Sequence, residues 1–319
     1  MKKLLVAIVV AALAAAAVLA FQWTATGPLA KDAEIIVPRG ASLAATAVRL
    51  EEAGAIRSSD AFRLMARVLG SGAPIKAGEF RIPAGSSAAT ILRILQHGEP
   101  LQRLIIIPEG LPSILVHEKL MAEDLLTGDV DVPAEGSVLP GGYSFERGEP
   151  RGAVLKRMQD AMAKTLAELW PARKSSSVVK TPEEAVNLAA IVEKETAKAE
   201  ERRTIAGVYS NRLRIGMMLQ ADPTVIYPIT KGKPLGRRIR QSELRADNGY
   251  NTYAKAGLPT GPIANPGRAS IEAVLDPETT DALYFVADGT GGHVFARTLA
   301  EHNANVVKWR AIRRERGEL

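Results

Sequence analysis

The 319-residue chain contains no cysteine, which removes disulfides, thiolate metal sites and thiol nucleophiles. Its four histidines, His97, His117, His293 and His302, show no His-x-x-x-His spacing, so neither a zinc site nor any other metal centre is expected. No stretch has the order of a nucleotide loop, and no cofactor is expected. The Gly-rich run Asp288-Gly289-Thr290-Gly291-Gly292-His293 reads first as a hairpin turn, where Gly supplies positive φ, and second as a cleft wall. Charged residues make up only 24% against 46% hydrophobic. A disordered or fibrous chain is thereby excluded, and the length allows two ordinary domains with cores.

One long apolar run is present. Residues 4–21 carry no charge, follow Lys2 and Lys3, and precede Gln22-Trp23. At ~1.5 Å per residue such a run nearly spans a hydrocarbon core of roughly 30 Å. Lys2 and Lys3 are expected on the cytoplasmic side and Trp23 at the far interface, with everything after about residue 24 outside. The rival is a cleaved signal peptide, because Val18-Leu19-Ala20 suits a signal peptidase. The run exceeds the usual ~7–15 residues of such a peptide, which favours a retained anchor. The net charge of +6 is scattered along the chain. It points to phospholipid heads and the cell wall as polyanionic neighbours, not to nucleic acid.

Three segments share one punctuation: Pro38-Arg39-Gly40, Pro83-Ala84-Gly85 and Pro108-Glu109-Gly110 each follow a β-branched run and precede a helical pattern. The spacing predicts strand, tight turn, helix, repeated. Residues 34–37 and 78–82 read as strands and residues 43–50 and 61–68 as helices, a βααβ unit that suits either a small binding module or a spacer. Residues 125–150, rich in Gly and Pro, read as an ordered but irregular loop. Helical spacing resumes at Val154 and fades near Trp170-Pro171, followed by a polar surface connection over residues 173–177. Thr181, Pro182 and Glu184 then form a helix start, with cap, first-turn proline and an acidic third residue. That helix is predicted over residues 182–203, followed by Gly-, Pro- and Asn-rich segments with short strands such as 283–286, and a final helix over 299–314.

The helix beginning at Pro182 carries Glu193-Lys194-Glu195-Thr196. With ~100° per residue and Leu188 at zero, Glu195 falls near about −20°, among Ala185, Val192 and Ala199. Glu193 falls near about 140°, on the flank of Ala190 and Lys194, where it reads as a surface charge. A carboxyl held against apolar neighbours resists ionisation and stays protonated closer to neutral pH, as a general acid requires. The structural alternative is a buried Glu paired with Arg212 or Arg214.

Six blocks together resemble the MltG (YceG-like) family of endolytic murein transglycosylases. They are Ala190-Ile-Val-Glu-Lys-Glu-Thr196, Asn211-Arg-Leu-Arg-Ile-Gly-Met217, Leu219-Gln-Ala-Asp-Pro-Thr-Val-Ile-Tyr227, Tyr250-Asn-Thr-Tyr253, Gly257-Leu-Pro259 and Leu283-Tyr-Phe-Val-Ala-Asp288. The resemblance covers essentially the whole chain and makes Glu195 the family's catalytic glutamate, in agreement with the wheel. It implies an α+β fold: an anchor at residues 1–24, a LysM-like glycan-binding βααβ module at 33–100, and a mixed α+β catalytic domain at 101–319. Residues 135–143 depart from the family pattern, lacking its Asp-Thr pair and one aromatic.

Candidate substrate contacts are Gln220 and Asp222, although Asp222-Pro223 is equally a helix start, and Tyr250, Asn251, Thr252 and Tyr253, whose rings, amide and hydroxyls suit a sugar as well as they suit a bonded loop. Ser177-Val178-Val179-Lys180 matches the Ser-x-x-Lys of penicillin-recognising acyltransferases, but the helix starts after it and the partner Ser-Asp-Asn is missing.

The resemblance implies cleavage between N-acetylmuramic acid and N-acetylglucosamine within glycan strands, with 1,6-anhydro ends, limiting the length of nascent strands. It further implies an extracytoplasmic site on the inner membrane, with peptidoglycan synthases as candidate partners. Two rivals remain: a hydrolytic muramidase using a second carboxylate, for which Asp222 is the candidate, and a non-catalytic peptidoglycan-binding protein.

Overall fold

A computed structural model describes residues 2–318, without the side chains of residues 2–5, 12 and 15. The cytoplasmic placement expected for Lys2 and Lys3 concerns side chains outside that set. The order is α1 (Lys2–Thr24), β1 (Ala33–Val37), α2 (Leu43–Glu52), α3 (Ser59–Leu69), β2 (Gly78–Ile82), α4 (Ala88–His97), β3 (Arg103–Ile107), α5 (Ser113–Met121) and β4 (Gly141–Phe145). It continues with α6 (Arg151–Leu169), α7 (Pro182–Glu195), α8 (Arg202–Arg214), α9 (Asp222–Thr230), α10 (Gln241–Leu244), α11 (Arg268–Leu275), β5 (Tyr284–Ala287), β6 (His293–Ala296) and α12 (Leu299–Glu315). The fold is mixed α+β, with three two-stranded sheets among the described residues, pairing β1 with β2, β3 with β4, and β5 with β6.

The chain forms two compact units, one of residues up to Arg103 with Ser144–Glu149, the other of Leu104–Tyr143 with Pro150 onward. In the first, β1 and β2 are antiparallel with Ile35 opposite Phe80. Their inward side chains meet Leu50, Phe62, Ile91 and Leu95 in one core. The repeated Pro-x-Gly turns work as the spacing predicts: Gly40, Gly85 and Gly110 all adopt φ between 68° and 76°, a left-handed conformation that a Cβ disfavours. The Val6–Thr24 part of α1 is long and apolar enough to cross a membrane, with mean hydropathy 2.3, and is compatible with a single-pass anchor. Trp23, near the end of that helix, is only 8% exposed, with its ring 6.0 Å from that of Phe62.

The second unit is built around α7. Thr181 Oγ1 accepts from the Glu184 amide at 3.2 Å, and Pro182 opens the helix. Every residue from Ala185 to Val192 is buried, packed by Met162 of α6, Ile205 and Tyr209 of α8, and Ile271 and Val274 of α11. Burial all round means the helix is held by packing rather than by one apolar stripe. Truncating a side chain such as Leu188 costs about 2–5 kcal/mol.

Three expectations fail here. The predicted 182–203 helix breaks after Glu195: Thr196 is extended at φ −142°, and α8 starts afresh at Arg202. The Thr196 hydroxyl donates to Glu201 at 3.1 Å and accepts from the Lys198 amide at 3.0 Å, a local bonding pattern that competes with helix. The 125–150 segment is ordered, with Arg151 donating to the carbonyls of Leu120, Met121, Glu123 and Gly128, but it is less irregular than its composition suggests, since β4 lies within it. The stretch after residue 203 is also more helical than predicted, with α8, α9 and α11 in it.

Candidate active site

Glu195 is the last residue of α7 and opens into a cleft of about 440 Å³. Its own helix presents a carbonyl end there, which disfavours a negative charge. Its Oε1 is buried and has no hydrogen-bond partner. Burial pushes the carboxyl up to about 7; the Tyr209 hydrogen bond and the Arg212 charge oppose the rise, whereas the Asp222 charge adds to it. A carboxyl so poised can give a proton at neutral pH and take one back.

The structural alternative of a Glu–Arg pair does not hold. Arg212 uses its guanidinium on the carbonyls of Leu283 at 2.7 Å and Leu219 at 2.6 Å. Arg214 donates to Asn211 Oδ1 at 2.7 Å and to the carbonyl of Ser176. Arg212 also lies 5.5 Å from the centre of the Tyr284 ring, against which His302 stacks at 5.3 Å. Burial lowers the His302 pKa, with the Arg212 charge assisting.

Of the six candidate substrate contacts, the structure brings three to the cleft, Gln220, Asp222 and Tyr253. The Tyr253 hydroxyl donates to Asp222 Oδ1 at 2.6 Å. Gln220 holds φ 51°, an uncommon conformation for a residue with a Cβ, of the kind that surrounding structure must impose. What imposes it is Thr252, whose carbonyl accepts from the Gln220 amide at 3.1 Å and whose hydroxyl accepts from the Ala221 amide at 3.0 Å.

The other three face elsewhere. Thr252 is buried beneath the 220–224 turn, its hydroxyl 2.8 Å from that of Thr224. Asn251 turns its amide inward to the carbonyls of Glu243, Leu244 and Ala246. Tyr250 lays its ring 4.9 Å from that of Tyr227. Their amide and hydroxyl groups shape the loop that presents Tyr253.

Sequence reasoning missed Tyr209, Arg212, Tyr284 and His302, which reach the cleft from α8, β5 and α12. The block 283–288 was the signal for Tyr284, and Arg212, in the block 211–217, was read only as a structural partner for Glu195. It also misplaced Glu193. That carboxylate is only 5% exposed, pairs with Arg202 at 3.3 Å and accepts from the Gly267 amide at 2.9 Å. Of the flank assumed for it, Ala190 is fully buried and Lys194 is exposed.

A brace fixes the chain beyond Glu195. Glu201 receives the Thr196 hydroxyl at 3.1 Å, the His293 amide at 2.9 Å and His293 Nδ1 at 2.7 Å. The β5–β6 hairpin behind it is turned by Asp288, whose Oδ1 accepts from the amides of Thr290 and Gly292, as the Gly-rich pattern predicts. Ser177 donates to the carbonyl of Val274 at 2.9 Å and α7 starts beyond Lys180, which removes the Ser-x-x-Lys reading. In the divergent 135–143 segment Glu135 is a structural acceptor, bonded by the Ser113 amide at 2.8 Å and Asn265 Nδ2 at 3.3 Å. Among the described residues no cluster of His, Asp and Glu has the makings of a metal site.

The second unit is thus a mixed α+β fold that carries, in a polar cleft, a buried carboxyl with one oxygen left without a partner. Residues 35–308 match the YceG-like family, and the chain belongs to it. The endolytic murein transglycosylase of Bacillus subtilis (strain 168) is 29% identical over 325 residues, covering 91% of this chain and 89% of that protein. The endolytic murein transglycosylase of Streptococcus pneumoniae D39 is 29% identical over 321 residues, covering 85% of this chain and 57% of that longer protein. The crystal structure of a yceG-like protein from Listeria monocytogenes superposes with a TM-score of 0.51 at 27% identity, over 86% of this chain and 99% of that one.

Proposed function

We propose that this chain is an endolytic murein transglycosylase, a lyase that cuts peptidoglycan glycan strands internally, with Glu195 as the single acid/base. The observation that carries the reading is the Glu195 carboxyl itself, pushed up to about 7 with an oxygen that nothing in the fold satisfies. Protonated Glu195 gives its proton to the glycosidic oxygen between N-acetylmuramic acid and N-acetylglucosamine as an oxocarbenium-like transition state forms. The resulting carboxylate takes the proton of the muramic acid C6 hydroxyl, which attacks the anomeric carbon and closes a 1,6-anhydro ring. No water is consumed, and an attacking group within the same sugar has a large effective concentration. Arg212, Gln220 and Tyr253 are the groups for binding the sugar's polar edge, and Tyr284 is a flat platform for its face.

The remaining parts of the reading follow from the same assignment. Residues 1–24 anchor the chain in the cytoplasmic membrane with the site on the extracytoplasmic side. Residues 33–100 are a LysM-like module that grips glycan strands, and residues 101–319 are the catalytic domain. Cutting beside the membrane limits nascent strands, which makes the synthases of elongation or division candidate partners.

A second reading has a specific observation in its favour, since Asp222 faces the cleft and its charge raises the Glu195 pKa. A hydrolase needs a second carboxylate about 5–9.5 Å from the first. Mass spectrometry of muropeptides separates the two. Anhydro ends, lighter by one water and unchanged by borohydride, are expected; new ends that are all reducible assign the chain to hydrolysis through Asp222.

A further inference from the structure

Beneath the end of α1 lies a hollow of about 280 Å³ in the first unit. One side is the chain just leaving the helix, with Gln22, Thr26 and Pro28; the other is the α2–α3 turn and the start of α3, with Arg57, Ser58 and Ala61. Its floor is apolar, made by Ile56, Phe62 and Met65, each at most 8% exposed.

The walls are held in place. Trp23 is fastened to Phe62 of α3. The Gly27 amide donates to the Gly85 carbonyl at 3.1 Å, the Gly85 amide to that of Leu29 at 2.8 Å, and the Ala84 amide to Asp32 Oδ1 at 2.9 Å. A Cβ on Gly27 would meet the Ser86 carbonyl oxygen at 2.1 Å, so the segment leaving the helix is pressed onto the β2–α4 turn. At the rim, Arg57 has no carboxylate partner among the described residues, whereas Arg63 is paired with Asp60 at 3.3 Å.

We propose that this hollow holds the headgroup and upper acyl chain of one anionic phospholipid, with its phosphate on Arg57 and its chain against Ile56, Phe62 and Met65. The inference rests on α1 being a retained membrane anchor. The α1 helix ends at Thr24, so a hollow lined by residues 22–28 opens where the anchor leaves the hydrocarbon. An apolar floor beneath an unpaired guanidinium matches a lipid crossing that boundary, because Arg presents several donors to phosphate oxygens and the floor shields apolar surface from water. The bound lipid would fix the first unit against the membrane by more than its tether.

The test uses the full chain in nanodiscs of phosphatidylcholine and phosphatidylglycerol, with retained lipid counted by native mass spectrometry. The unmodified protein is expected to keep one phosphatidylglycerol. Retention is expected to fall about tenfold in Arg57→Ser, the loss of one charge-assisted contact, and to fall in Ala61→Phe, which fills the hollow without changing charge. Arg67→Ser, on the same helix outside the hollow, should match the unmodified chain. Equal retention in all four proteins, or a lipid displaced by millimolar inorganic phosphate alone, overturns the proposal. A mature chain starting near Phe21 in the salt-washed fraction removes the anchor and the proposal with it, whereas an intact anchored chain that keeps no lipid removes only the proposal.

Discussion

Glu193 and Glu195 leave the same last turn of α7, two residues apart, and neither is freely solvated. Glu193 is satisfied at both oxygens, by Arg202 and by the Gly267 amide. Glu195 has one oxygen without any partner, a helix carbonyl end behind it and the Asp222 charge across the cleft. The contrast is therefore one of partners, not of exposure. A buried carboxylate matched to a cation is a structural group, and the same carboxyl left unmatched becomes a proton donor.

The widest separation is expected in catalysis. Glu195→Gln should lower the cleavage rate at least about 100-fold while the far-ultraviolet circular dichroism stays unchanged, the lower scale for losing a general acid–base group. Glu193→Gln should retain activity wherever it remains folded. Equal rate losses in two folded variants would break the comparison.

Stability should order the pair the opposite way. The folded-state pKa of Glu195, about 7, lies above its ordinary 4.5, so between these values the native state binds the extra proton. Its contribution is fully present below about pH 4.5 and is lost as pH rises through 7. Holding the carboxylate ionised then costs about 3 kcal/mol. Denaturant titrations at pH 8 should show Glu195→Gln more stable than the unmodified protein by up to about 3 kcal/mol, with the gain vanishing near pH 4. Glu193→Gln should lose about 1–3 kcal/mol at pH 8, because Arg202 keeps only its 3.0 Å pair with Glu109. A Glu195→Gln protein that is less stable at every pH would mean its carboxylate has a stabilising partner in solution beyond the Tyr209 hydrogen bond.

The comparison also shows what was legible in the sequence. The three Pro-x-Gly turns, the βααβ order, the α7 start at Thr181-Pro182 and the inward placement of Glu195 were readable because each depends on residues close in sequence. The helix end at Glu195 was not, because no Gly or Pro marks it and Thr196 breaks the helix through Glu201 and a hairpin 92 residues further on. Glu193 was misread because the wheel assumes a solvated face, whereas α11 and Gly267 cover it. Tyr250, Asn251 and Thr252 looked like a sugar surface by type, but Thr224, Tyr227 and the 243–246 carbonyls take them inward. Tyr209, Arg212, Tyr284 and His302 carry no local signature, since their meeting is a property of the packed unit.

The finest test concerns two neighbours that act on Glu195 with opposite sign. The Tyr209 hydrogen bond favours the carboxylate and the Asp222 charge disfavours it. Because the protonated form starts the reaction, activity should decline as pH rises through about 7. Tyr209→Phe removes the stabilising bond and should move that decline to higher pH; Asp222→Asn removes the repelling charge and should move it to lower pH. The pH dependence of kcat/KM for each variant, at matched substrate, is the measurement. Asp222→Asn carries a second readout: residual product that still ends in anhydro rings is consistent with Asp222 acting only on the Glu195 pKa. Loss of all product at every pH, with Tyr209→Phe still active, would make Asp222 a reacting group and remove the single-carboxyl mechanism.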